Sequence, residues 1–196
     1  MKIITVSREF GSGGRTIAKA VAESLGIAYY DKALVKQVAV ATGFDEGYIE
    51  RQGEYAPVRS RLAYMLTGGG SDLSMSAEDF LWMMQRKVIL ELAEKEPCVI
   101  VGRCADYILR ERTDCLHVFV HADMAQRADR IVRLYGEADT EPEKRLEEKD
   151  RRRRLYYKRY TEREWGMSQN YHLSLDSGRV GIDRCCDTII TLYRSL

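Results

Sequence analysis

Three glycines in four positions, Gly11, Gly13 and Gly14, follow a β-branched run and lead straight into Arg15 and Thr16. A strand, a glycine-rich turn and a helix together aim backbone amides and a helix N-terminus at one point, where an anion is stabilised. Glycine suits such a turn because it takes positive φ and lets oxygens come close. Ser7-Arg8-Glu9-Phe10-Gly11-Ser12-Gly13-Gly14-Arg15-Thr16 therefore reads as a phosphate cradle. Laid on the phosphate-binding pattern GxxxxGK[S/T], Gly14, Arg15 and Thr16 take the last three positions, while Glu9 stands at the first glycine. Arg15 would then reach the phosphates with a planar fork in place of an ammonium, and the Thr16 hydroxyl would hold magnesium. A second register, with Gly11-Ser12-Gly13 as the GxG, leaves Gly14 where a cation belongs, so the first is preferred. The plainer alternative is a tight strand-to-helix turn.

Other arginines sit where anions could meet them. Arg103 follows the apolar run 98–101, and the C-terminal ends of parallel strands line ligand crevices; it could equally cap the strand or pair with Asp106. Residues 151–154 are four consecutive arginines. Glu147 with Arg151, and Asp150 with Arg154, have the spacing of surface pairs on a helix, yet four in a row cover more than one helix face. Tyr29, Tyr30 and Asp31 could meet a base or ribose, or simply pack. Tyr156, Tyr157 and Tyr160 alternate with basic residues and could stack on bases or anchor a helix. His117, His121 and His172 lack metal-ligand spacing, and the 5 cysteines lack the paired spacing of a zinc site.

These residues need elements to hold them. Residues 2–7 read as a buried strand, and Ile17, Val21 and Leu25 as one face of a helix stopped by Gly26. A short strand at 27–30 ends at Asp31, and broken helical segments follow at 33–41, 45–52 and 58–66, before Gly68, Gly69 and Gly70. Ser76 with Asp79 resembles a capping box opening a helix with Leu81, Met84, Val88 and Leu92 on its apolar stripe. Strands at 98–101 and 116–120 flank a short helix near 107–109. Asp123 can cap the next helix, which runs to about residue 134. A linker at 136–140 enters the charged stretch 141–163, a fifth strand lies at 172–175, and Ile182, Cys186, Ile189 and Tyr193 give the closing helix its apolar face. Strands alternating with helices predict an α/β protein with a parallel sheet covered on both faces.

At 196 residues the chain fits one core with small insertions. Lysine plus arginine total 31 against 30 acidic residues, a net charge of +1, so no global field draws it to nucleic acid or anionic lipid, and an anion site must be local. No apolar run nears the roughly 20 residues that cross a bilayer. The thiols read as buried in a reducing compartment, so a cytoplasmic protein is expected.

The segments VSREFGSGGRTIA, GIAYYDKALV, CVIVGRCADYIL, LHVFVHADMAQRADRIV and YHLSLDSG resemble the cytidylate kinase-like family of P-loop proteins over almost the whole chain. The resemblance implies a three-layer P-loop fold, sheet order 2-3-1-4-5, with a helical monophosphate-binding flap at about 32–75 and a lid at about 136–166. It implies ATP and Mg2+, and phosphoryl transfer to a nucleoside monophosphate, CMP or dCMP first. A degenerate nucleotide- or phosphate-binding protein, or a kinase of another small acceptor, are the alternatives. Gly11 to Thr16 would cradle the donor. Arg103, Asp31, Asp106 and the flap residues Arg59 and Arg61 would hold the acceptor, and Arg151 and Arg154 would close the lid, with Arg15 and Arg103 also catalytic. Gly102 and Arg103 match the family's aspartate-glycine-arginine turn, whereas Val101 stands in the aspartate's place, which Asp106 or Glu9 would have to fill.

Overall fold

The computed structural model describes residues 2–52 and 76–195, so the expected helix at 58–66, Gly68 to Gly70, Arg59 and Arg61 lie outside the described residues. Five parallel strands form one sheet in the order β2-β3-β1-β4-β5, as the resemblance implies. They are β1 (Ile3–Arg8), β2 (Ala28–Tyr30), β3 (Cys98–Val101), β4 (Cys115–His121) and β5 (Leu173–Asp176). The central strand β1 pairs on one side with β3, Ile3 opposite Cys98, and on the other with β4, Arg8 opposite Val120.

Alternation along the strands builds the three layers. Ile3, Cys98, Ile100 and Cys115 face one cluster with Leu34, Val38, Ile89 and Leu92; these come from α2 (Lys32–Thr42) and α4 (Ala77–Lys95), joined by Ile49 of α3 (Glu46–Gln52). Ile4, Val6, Val99, Val118 and Val120 face the opposite cluster, closed by Ile17 and Val21 of α1 (Gly14–Leu25) and Cys185 and Ile189 of the last helix, α9 (Ile182–Ser195). Between them run α5 (Ala105–Ile108), α6 (Met124–Tyr135), α7 (Pro142–Thr161) and the single turn α8 (Ser177–Val180).

Several local expectations hold. Gly26 ends α1 at φ 64°, and Ser76 Oγ accepts the Asp79 N–H at 3.1 Å to open α4. All five cysteines are free and buried. Others shift. The first strand runs one residue further than read and carries Arg8 into the sheet, while β5 begins one residue later, leaving His172 to pack its ring 4.7 Å from that of His117. Asp123 precedes α6 without a capping bond from its side chain. The stretch 141–163 contains a 20-residue helix, α7, with Pro142 at its start, where a missing N–H costs nothing. No helix among the described residues is long and apolar enough to cross a membrane.

Candidate active site

The turn after β1 is held by its carbonyls. Three arginines donate to successive peptide oxygens: Arg153 to Arg8 at 3.1 Å, Arg127 to Phe10 at 3.3 Å and Arg130 to Gly11 at 2.8 Å. Ser177 Oγ, from α8, donates to the Ser12 carbonyl, and the Ser12 N–H and Oγ both donate to the Glu9 carbonyl. Helix α6 supplies Arg127 and Arg130 and α7 supplies Arg153, so elements far apart in sequence shape the turn. With its oxygens engaged, the turn delivers Gly14, Arg15 and Thr16 as the first residues of α1, whose N–H groups have no partners within the helix.

The glycines answer first to these neighbours. Gly11 sits at φ 79°, and a Cβ there would lie 2.9 Å from the Arg127 carbonyl oxygen; at Gly14 a Cβ would lie 2.5 Å from the Arg8 Cβ. At Gly13 a Cβ would lie 2.6 Å from Ile182 Cδ1, so the close approach that excludes side chains is made by α6, α9 and the Arg8 stem.

Asp150 is the hub beside the turn. Buried on α7, it accepts the Phe10 N–H at 2.8 Å and Arg127 Nη1 at 2.6 Å, and stands 3.5 Å from Arg153. The surface pair with Arg154 that spacing suggested gives way to this buried network. Glu9, at the first-glycine position, accepts the Ala122 N–H at 3.2 Å and faces Arg127 Nε at 3.5 Å. Burial raises its carboxyl pKa, with Arg127 opposing. Glu9 lines the depression at the turn, whereas Asp106 is enclosed. Asp106 is buried, accepts Tyr157 Oη at 2.6 Å, and is pushed up to about 6 by desolvation, which Tyr157 and backbone amides partly offset.

A solvent-open cleft of about 530 Å3 runs from the turn past the end of β2 to α7. Its walls carry Arg15, Lys32, Arg103, Arg145, Lys149, Arg152 and Arg153 against Asp31 and Glu50. Here Arg15 Nε lies 3.0 Å from Asp31 Oδ2, so the candidate phosphate cation is ion-paired across to the start of α2. Arg103 is buried in a turn where Gly102, Arg103 and Cys104 all have positive φ, and its Nη1 donates to Gln85 Oε1, which is oriented by the Tyr156 hydroxyl 3.0 Å from Gln85 Nε2.

Of the residues singled out from sequence, Arg15, Asp31 and Arg103 share this cleft, while Gly11, Gly13, Gly14, Arg15 and Thr16 line an adjoining depression with Arg8, Arg130 and Arg153. Ser12 is buried under the turn, and Asp106 beneath the site. Arg151 and Arg154 turn the other way, into a groove between α6 and α7 with Met124, Lys144 and Glu147. The cleft face of α7 is instead Arg145, Lys149, Arg152 and Arg153, a spacing of i, i+4, i+7 and i+8 that the sequence contains but the arginine run obscured. Gln85 carried a signal too, as a polar residue within the apolar stripe of Leu81, Val88 and Leu92.

Magnesium could meet the exposed Thr16 hydroxyl and the Glu9 carboxylate, which line one depression, and among the described residues no group of three or more His, Cys, Asp or Glu could hold a metal ion. That donor set fits a cation carried mainly by nucleotide phosphates and water.

A search of curated proteins matches none. Among solved structures, an uncharacterized protein from Eubacterium ventriosum ATCC 27560 is 27% identical with a TM-score of 0.75, over 100% of both chains. A shikimate kinase from Acinetobacter baumannii is 16% identical with a TM-score of 0.55, over 100% of this chain and 94% of that one. A gluconokinase from Sinorhizobium meliloti 1021 is 16% identical with a TM-score of 0.53, over 99% and 94%. The last two share the P-loop kinase fold with this chain. A family model describing the cytidylate kinase-like family matches residues 3–179, nine-tenths of the sequence, and the chain belongs to that family.

Proposed function

We propose that the chain transfers a phosphoryl group from ATP to a nucleoside monophosphate, CMP or dCMP foremost. One observation carries the reading: the buried arginines Arg8, Arg103, Arg127 and Arg153 gather around the turn after β1, where the buried carboxylates are only Asp106 and Asp150 among the described residues. So dense a set of guanidinium groups beside the amides at the start of α1 is suited to a polyanion.

In this reading the amides of Gly14, Arg15 and Thr16 hold the donor phosphates. The Thr16 hydroxyl would be a protein ligand of magnesium, which when bound neutralises phosphate charge. Helices α2 and α3 begin the flap, and α7 is the lid, its Arg145, Lys149 and Arg152 covering the cleft from water. Arg103, fixed by Gln85, orients the acceptor phosphate. An oxygen of that phosphate forms the new bond to the γ-phosphorus as the bond to the β–γ bridging oxygen breaks, and ADP leaves with that electron pair. An ionised phosphate needs no base, so positioning and charge suffice. Five buried thiols suit a reducing cytoplasm.

A second reading, an acceptor hydroxyl, is favoured by Asp31: a hydroxyl must lose a proton, and this carboxylate lies in the cleft. The structural relatives named shikimate kinase and gluconokinase make such acceptors worth testing. A third, nucleotide binding without turnover, is favoured by Val101 where the resemblance expects an aspartate. A coupled assay of ADP release with CMP, dCMP, UMP, AMP, shikimate and gluconate separates them. Turnover with CMP or dCMP above the rest supports the first reading; preference for a hydroxyl acid selects the second, and ATP binding with no turnover on any acceptor selects the third.

A further inference from the structure

Arg8 closes the central strand at the C-terminal edge of the sheet, between β3 and β4, yet the spacing of the phosphate-binding pattern gives it no task. It is 3% exposed. Its first side-chain carbons lie where a Cβ of residue 14 would be, which lays the arginine stem across the first residue of α1. It lines the depression formed by Gly11, Gly13, Gly14 and Thr16, and its own carbonyl is clamped by Arg153 of α7, fixing the backbone from which the side chain departs. The side chain thus lies against the donor turn along its stem.

Arg15 lines the same depression but is not buried in it. Its side chain is 48% exposed and tied to Asp31 at 3.0 Å, on the acceptor side. We infer that Arg8, and not Arg15, is the cation of the phosphate turn, binding the β- and γ-phosphates of the donor and staying with the γ-phosphoryl group as it crosses to the acceptor; this rests on the phosphoryl-transfer reading above. No proton or electron pair passes through Arg8, which only neutralises charge that spreads over the phosphoryl oxygens while one P–O bond breaks and the other forms. Gly14 is then needed because any larger residue would push the Arg8 stem aside.

The test is calorimetry with Mg-ATP, AMP and tripolyphosphate on wild type, Arg8→Met, Arg8→Lys and Arg15→Met, with thermal melts confirming that each is folded. Methionine keeps the apolar stem and removes the charge. A charge-assisted contact to phosphate predicts that Arg8→Met weakens Mg-ATP and tripolyphosphate about 30- to 100-fold and AMP less than about threefold, with Arg8→Lys between, and that Arg15→Met changes tripolyphosphate affinity less than about threefold. Equal affinity in folded Arg8→Met, or the larger loss in Arg15→Met, overturns the inference and leaves phosphoryl transfer standing. Should Arg8→Met not fold, the wild-type protein decides: the Arg8 Nε–Hε NMR signal, assigned by its absence from Arg8→Lys, shifts on adding tripolyphosphate, and a signal that stays put refutes the assignment. If wild type binds neither ATP nor tripolyphosphate, the phosphate-site reading itself fails, and the role of Arg8 with it.

Discussion

The two faces of the sheet and its C-terminal rim are built on opposite principles. On the faces, Ile4, Val99, Val118 and Ile189, and across the sheet Ile3, Ile100, Leu34 and Ile89, are all essentially inaccessible to solvent, and most of the contact is apolar. At the rim, within the same molecule, four arginines and two aspartates are buried around one turn. Apolar burial on the faces stabilises the fold at about 25 cal/mol per Å2 without asking for any partner, whereas a buried charge is tolerable only while its partner is in place. The faces therefore hold the fold, and the rim depends on charges that hold one another in place. That division locates the site.

The sharpest way to break the comparison is to remove one rim charge. Arg127→Met leaves Asp150, which is 3% exposed, with the Phe10 N–H and the more distant Arg153 but without its 2.6 Å partner, and breaking a buried pair in this way costs about 3–5 kcal/mol of stability. Urea unfolding should show that loss; a change under about 1 kcal/mol would mean that the rim is far wetter than its geometry. Ile189→Ala is the matched cut on a face. It should cost about 2–4 kcal/mol through lost burial and the cavity left behind, yet leave Mg-ATP affinity within about twofold. A large loss of affinity there would erase the distinction between face and rim.

Titration offers a finer cut, because each region buries an ionisable group and the signs are opposite. His117, inside the sheet between Thr5 and His172, is lowered to about 4 by desolvation, with His172 adding to the effect. Its folded pKa lies below the unfolded value near 6.5, so the stability it confers is full above pH 6.5 and drains as pH falls toward 4, by up to about 3 kcal/mol. Asp106 at the rim is raised to about 6, so its contribution is present below pH 4 and disappears as pH rises through 6. Between pH 4 and 6 the two slopes offset one another. Stability measured against pH should therefore fall less steeply on acidification in His117→Gln than in wild type; identical slopes would show that the His117 ring is not held neutral.

The faces were more legible in the sequence than the rim, for a physical reason. Apolar period is local: Ile17 and Val21, or Leu81, Val88 and Leu92, announce their burial within a single helix, and the β-branched run from 2 to 7 announces a buried strand. The glycine turn was equally visible, since Gly11, Gly13 and Gly14 must be near one another wherever the chain goes. The rim is made of long-range pairs. Arg153 meets the carbonyl of Arg8 and Asp150 meets the amide of Phe10 across about 140 residues, and no spacing rule connects them. A run such as Arg151 to Arg154 conceals which members point inward, because consecutive helix positions differ by about 100° in direction. Only the register of α7 against α6 and the turn selects Arg152 and Arg153 for the cleft.

The smallest effect sharpens the boundary between buried and exposed charge within the rim itself. Arg15 and Asp31 form a pair at 3.0 Å, shorter than many buried contacts, but the arginine side is 48% exposed. Water already satisfies the guanidinium there, and ordering two side chains offsets most of the Coulomb gain, so a pair of this kind contributes about 0.2–1 kcal/mol. Arg15→Met should therefore leave urea stability nearly unchanged where Arg127→Met lowers it several-fold more, although both remove one arginine from one carboxylate near the same turn. The contrast depends on salt as well: the small Arg15 contribution should vanish by about 1 M NaCl, where screening acts within about 3 Å, while the Arg127 loss persists because no ions reach Asp150. Equal losses in the two variants, or a salt-resistant Arg15 contribution, would show that the cleft closes over Arg15 in solution and that its pair with Asp31 belongs to the buried set.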